Sequence, residues 1–84
     1  MLVTVLLFAS ARVQAGSPTL VVELAEPANV ADLKQALVRA CPKLVGLMAC
    51  SRIAVDAVYA DDDDPVRPDA EVALIPPVSG GAFP

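Results

Sequence analysis

Leu2 to Ala9 is apolar except at Thr4, and alternation splits it into Val3, Val5 and Leu7 on one side and Leu2, Leu6 and Phe8 on the other. That is the pattern of a strand buried on both faces, and it places Phe8 in the core. Ser10-Ala11-Arg12 and Ala15-Gly16-Ser17-Pro18 follow, a turn-rich connection that predicts a hairpin with a long loop. The second strand starts at Thr19. In it Leu20, Val22 and Leu24 share one face while Glu23 points away, the period of a half-solvated strand near a sheet edge.

Asn29 is a good helix N-cap, and Asp32 favours the same end of the helix dipole. Val30, Leu33, Leu37 and Cys41 recur at helical spacing on one face, whereas Asp32, Lys34, Gln35 and Arg39 fall mostly elsewhere. Pro42 ends this helix at Cys41. Lys43 to Ser51 is apolar with Gly46 in its middle, which reads as an irregular connection covering one end of the core. Arg52 to Asp56 and Val58 to Ala60 predict two short strands around an Asp56-Ala57 turn. After the break at Asp61 to Pro65 and a turn at Pro68-Asp69-Ala70, Glu71 to Ile75 is the last strand. It is apolar on both faces beyond its first position and so belongs in the centre of the sheet. Pro76-Pro77 ends the ladder, because proline supplies no amide donor. The order predicts an α+β fold, one main helix covering one face of a mixed sheet of four to five strands.

Composition narrows the function more than the fold. Eighty-four residues make one domain, and 56% apolar against 19% charged argues against disorder. The net charge is -4, with no basic block, which argues against a nucleic-acid partner. The chain has no His and no Trp, so the commonest general base and metal ligand are missing. Cys41 and Cys50 stand nine positions apart, a spacing that fits no zinc motif, and no metal site is expected. They read as small apolar thiols, with a structural disulfide as the alternative. The N-terminal run lacks a basic n-region and falls short of the about 20 apolar residues that span a bilayer. Neither secretion nor a membrane is expected. Asp61 to Asp64 lacks the spaced ligands of a calcium loop and reads as a solvated acidic loop, with steering toward a basic partner as its alternative use.

One run is more specific than the rest. Glu71-Val72-Ala73-Leu74-Ile75-Pro76-Pro77-Val78-Ser79-Gly80-Gly81 resembles the signature ending of the molybdopterin synthase small subunits, a family of ubiquitin-like β-grasp sulfur carriers. Phe8-Ala9 followed by Arg12 and Gly16 is similar to that family's first strand and loop, and the likeness extends from about Val3 to Gly81.

The resemblance implies a β-grasp domain over residues 1–77 and a tail, residues 78–84, that carries Gly80-Gly81. It implies that an activating enzyme uses ATP to adenylate the Gly81 carboxylate, which becomes a thiocarboxylate and donates its sulfur to cyclic pyranopterin monophosphate. Gly80 would let the tail enter a narrow channel in the large subunit, and Pro76 and Pro77 would stiffen its base. Phe8, Arg12, Pro76, Pro77, Val78 and Ser79 are the implied partner contacts. The implied partners are the large subunit, in a heterotetramer, and the activating enzyme; no cofactor is bound, and the expected location is the cytoplasm. Catalytic side chains would belong to the partners.

Two places depart from the family pattern. Ala82-Phe83-Pro84 follows Gly81, so the carboxylate to be adenylated is locked in a peptide bond, and a processing protease is implied. Pro68-Asp69-Ala70 replaces an acidic-glycine turn, where Asp69 tolerates left-handed geometry better than most residues. Two alternatives share the fold: a sulfur carrier for thiamine, cysteine or tRNA thiolation, and a ubiquitin-like protein modifier.

Overall fold

The first strand's alternation seats it at the middle of a sheet. In the computed structural model, which describes residues 1–77, β1 (Leu2–Leu7) lies between β2 (Thr19–Glu23) and β7 (Val72–Ile75), and the sheet continues through β4 (Arg52–Val55) to β5 (Val58–Ala60). β1 and β7 run parallel, and every other neighbouring pair in this sheet is antiparallel. The expected mixed sheet, the edge position of β2 and the central position of β7 are thus all observed. Parallel neighbours need a long crossover, and the chain between β1 and β7 supplies it. That crossover contains α2 (Val30–Ala40) and a separate two-stranded ribbon of β3 (Ala28–Asn29) and β6 (Pro65–Val66).

One sheet face is closed and carries the core. Val3, Val5 and Leu7 of β1, Val22 of β2, Ile53 of β4 and Val72 and Leu74 of β7 are buried with Val30, Leu33, Ala36 and Leu37 of α2. The spacing read from the sequence gives three of those helix positions, and Cys41 at the helix end is half-buried. The start of α2 is held twice over. Asn29 Oδ1 accepts from the Asp32 amide at 2.9 Å, and Asp32 Oδ2 accepts from the Asn29 amide at 3.0 Å, a reciprocal capping box.

The loop after β1 is not the open hairpin connection that the turn residues predict. Its alanines form α1 (Ala9–Ala15), whose Ala11 and Arg12 amides donate to the Phe8 carbonyl. Alanine is the strongest helix former, and Ser10 inside the run with Gly16-Ser17-Pro18 after it hid this short helix. Gly16 closes α1 at φ 71°, a left-handed position that favours glycine. Lys43 to Ser51 is likewise more regular than expected. A 3-10 turn at Pro42–Leu44 leads into α3 (Val45–Met48), and fully buried Leu44 plugs the end of the core. Asp56 and Ala57 form the tight β4–β5 turn with φ of 52° and 67°. The Pro68 turn needs no left-handed residue: its Ala70 amide closes onto the Arg67 carbonyl, and Asp69 keeps negative φ.

Candidate functional site

The second sheet face has no helix over it. Residues at positions 71, 73 and 75 alternate away from the core, and register brings Leu6 beside Ala73, Ala73 beside Ala54 and Ala54 beside Tyr59. Two alanines at the middle of this row leave the face dished, because the flanking side chains are larger. The result is a groove of about 280 Å³ lined by Leu6, Phe8, Ala54, Ala57, Tyr59, Glu71, Ala73 and Ile75. It is mostly apolar and open to solvent, the kind of concave patch that marks a protein contact.

Phe8 stands at one wall of this groove rather than in the core. Alternation gives its side of the strand, but that side faces outward, and the residue is 46% exposed. The apolar pattern predicts burial on both faces, whereas α2 covers only one. Leu2, on the same outer side, is also exposed.

β7 leads from the groove toward the C-terminus. Ile75 lines the groove, Pro76 next to it is buried, and Pro77 is half-buried. The Pro76 ring is thus taken up by the chain's own packing at the end of β7. Val78, Ser79, Gly80 and Gly81, together with Ala82-Phe83-Pro84, lie outside the described residues. Arg12 is exposed on α1 and does not line the groove, although its amide is tied to the Phe8 carbonyl at 3.4 Å. The structure therefore brings Phe8 together with Ile75 at the end of β7, and leaves Arg12 tied to Phe8 through the backbone alone.

Three lining residues, Ala54, Tyr59 and Ala73, carried no functional signal in the sequence. The signal that could have found them is register: small residues on adjacent central strands, bracketed by aromatic ones. Arg52 adds a charge at the rim. Its guanidinium carbon lies 4.2 Å from the centroid of the Tyr59 ring, a cation–π stack.

The acidic run has a structural place. The carbonyls of Asp64 and Asp62 accept from the Val30 and Ala31 amides at 3.0 and 3.1 Å, satisfying free donors at the start of α2. Lys34 Nζ lies 2.7 Å from Asp62 Oδ1. Carboxylates gathered at a helix N-terminus are favoured by its dipole. Among the described residues Cys41 and Cys50 are free thiols, and no helix is long and apolar enough to cross a membrane.

Comparison with known proteins agrees with this geometry. The molybdopterin synthase sulfur carrier subunit of Arabidopsis thaliana is 34% identical over 94% of this chain and 82% of its own length. The subunit of the same name from Chlamydomonas reinhardtii is 35% identical over 96% of this chain and 100% of its own. Among solved structures, SAMP1, the small archaeal modifier protein 1 of Haloferax volcanii, superposes with a TM-score of 0.87 at 30% identity, over 96% of this chain and 100% of that one. A complex of subunits 1 and 2 of the molybdopterin-converting factor from Helicobacter pylori contains the same fold, with a TM-score of 0.68 at 21% identity, over 96% of this chain and 100% of that one. The ubiquitin-like β-grasp architecture expected from the sequence is thus the observed one. The family profile described as the ThiS family matches residues 5–81, nearly the whole of the described domain together with Gly80 and Gly81, and the chain belongs to that family.

Proposed function

We propose that the chain is the sulfur carrier subunit of molybdopterin synthase in molybdenum cofactor biosynthesis. The observation that carries this reading is the placement of Pro76 and Pro77 at the end of β7, beside an uncovered apolar groove walled by Phe8. A carrier needs a rigid body for partners to grip and a chain end that departs next to the grip. Residues 1–77 supply the body, and residues 78–84 the tail. Relatives at 34% and 35% identity that bear this name support the reading.

In this mechanism a protease removes Ala82-Phe83-Pro84 and frees the Gly81 carboxylate. A carboxylate is a poor electrophile, so the activating enzyme joins it to AMP from ATP, releasing pyrophosphate. Sulfur at the oxidation level of sulfide then displaces AMP and leaves a thiocarboxylate, whose sulfur bonds to cyclic pyranopterin monophosphate within the large subunit. Water cleaves the acyl–sulfur bond, which leaves the sulfur on the pterin and returns the Gly81 carboxylate. Gly80 and Gly81 carry no Cβ and can pass through a narrow channel. Phe8 anchors the partner surface, with Arg12, Pro77, Val78 and Ser79 at its margin. The carrier itself binds no cofactor and works in the cytoplasm, in a heterotetramer with two large subunits. The Helicobacter pylori structure, in which subunit 1 is solved together with subunit 2, supports such a pairing.

The reading is tested by reconstitution. The chain ending at Gly81, charged with sulfur and mixed with the large subunit and the pterin precursor, is expected to yield molybdopterin, and the same chain without Gly80-Gly81 is expected to yield none. Charging without product would assign the carrier to another sulfur pathway. The likeness to SAMP1 favours a second reading, a protein modifier. Isopeptide conjugates through Gly81 in cells would decide for it.

A further inference from the structure

The groove is lined by apolar residues except for Glu71, and Arg52 stands next to it, stacked on the lining residue Tyr59. Arg52 lies directly opposite Ile75 in the β4–β7 register, at the C-terminal end of β7. Glu71 lines the other end, beside Ala57. Positions 71 and 75 are four steps apart along the chain, a span of about 13 Å.

Both charges are held in place and left unused. Arg52 is fixed by its stack on Tyr59, which leaves the edge of the guanidinium, where its donors point, free to meet a planar acceptor. Among the described residues it forms no ion pair, whereas Lys34 and Arg67 pair with Asp62 and Asp56. Arg52 itself lines a second depression together with Lys34 and Asp61 to Asp63, yet none of those carboxylates pairs with it. Glu71 is fixed through its backbone: its amide donates to Asp56 Oδ1 at 3.0 Å and its carbonyl accepts from the Asp56 amide at 2.8 Å. Its carboxylate makes no hydrogen bond or ion pair to a described residue. In a chain with a net charge of -4, a cation held on an apolar face within reach of an acidic loop, and still unpaired, is available to another molecule.

We propose that Arg52 and Glu71 give the groove an electrical polarity that selects and orients a protein partner. The segment that enters it places a carboxylate over Arg52 at the root of the tail, an apolar side chain between Phe8 and Tyr59, and a cation toward Glu71. Reversed entry would set like charges against each other at both ends, so the two charges decide orientation while the apolar surface supplies affinity. The identity of that partner as the synthase large subunit rests on the function proposed above.

The test is binding of the full chain to the large subunit encoded in the same genome, at low and at high salt. Arg52→Glu and Glu71→Lys are each expected to weaken binding about tenfold at low salt, with most of the loss in the association rate. Arg52→Gln, which removes the charge without reversing it, is expected to fall between Arg52→Glu and the unaltered chain. The decisive variant exchanges the two charges, Arg52→Glu with Glu71→Arg, and keeps the net charge unchanged. It is expected to bind as weakly as the single variants, with thermal melting showing that it folds. Binding of the exchanged variant within about twofold of the unaltered chain would overturn the polarity. Failure of the unaltered chain to bind would instead overturn the carrier reading, and the choice of partner with it.

Discussion

The amide of Phe8 donates to the carbonyl of Leu74 across 3.3 Å, extending the parallel β1–β7 pairing one residue past the end of β1. Leu74 is fully buried and Phe8 is not. The bond therefore fixes the backbone beneath an aromatic ring that the fold leaves on the surface, next to the last strand of the sheet. A half-exposed phenylalanine held this way contributes little to stability.

Phe8→Ala separates stability from binding. Because the ring is already half in water, its loss is expected to cost about 1 kcal/mol or less in folding stability. As an aromatic anchor of the docking groove it is expected to cost about 2 kcal/mol or more in binding to the large subunit. Chemical denaturation and calorimetric titration read the two quantities independently. Equal losses in both would place the ring in the core instead.

Asp56 ties the β4–β5 turn to the start of β7, and the tie is uneven. Its bond to the Glu71 amide holds backbone, whereas its pair with Arg67 Nη2 at 3.2 Å joins two side chains that are 48% and 72% exposed. Exposed pairs contribute little. Asp56→Ala is expected to cost about 1–2 kcal/mol, since it loses the backbone bond and places alanine at positive φ. Arg67→Ala is expected to cost about 0.5 kcal/mol or less. Urea denaturation of the two variants checks the ranking, and a larger loss from Arg67→Ala would reverse it.

Two left-handed residues give changes of opposite sign. A Cβ on Gly16 would meet nothing within 4 Å, so space does not select glycine there, but φ of 71° does. Gly16→Ala is expected to destabilise by about 1 kcal/mol. Ala57 holds φ of 67° with a Cβ, and Ala57→Gly is expected to stabilise by about 0.5–1 kcal/mol, the strain relieved less the entropy of glycine. Melting temperatures of both variants check the signs.

Elements with a strong period were legible in the sequence. β1, β2, α2 and β7 follow from alternation or helical spacing, and the cap of α2 from Asn29 and Asp32. The β4–β5 hairpin follows from its two short runs around Asp56-Ala57, but the short helices were not legible. α1 has seven residues and α3 has four, too few for a period to emerge, and tertiary contacts such as buried Leu44 hold them instead. The site divides in the same way. The Pro76-Pro77 step and the Gly80-Gly81 run are contiguous and could be read directly. The groove is assembled from four strands by register, so Ala54, Tyr59 and Ala73 become neighbours only after folding. Phe8 shows the limit most clearly, because alternation assigns a residue to a face but does not say which face the helix covers.

The central claim is that Gly81 carries sulfur. Its most direct test is the intact mass of the protein isolated from its own cells under conditions that spare a thiocarboxylate. The expected result is a species that ends at Gly81, with one carboxylate oxygen replaced by sulfur in a fraction of the molecules. A full-length, unmodified chain as the sole species, in cells that are making the cofactor, would contradict it.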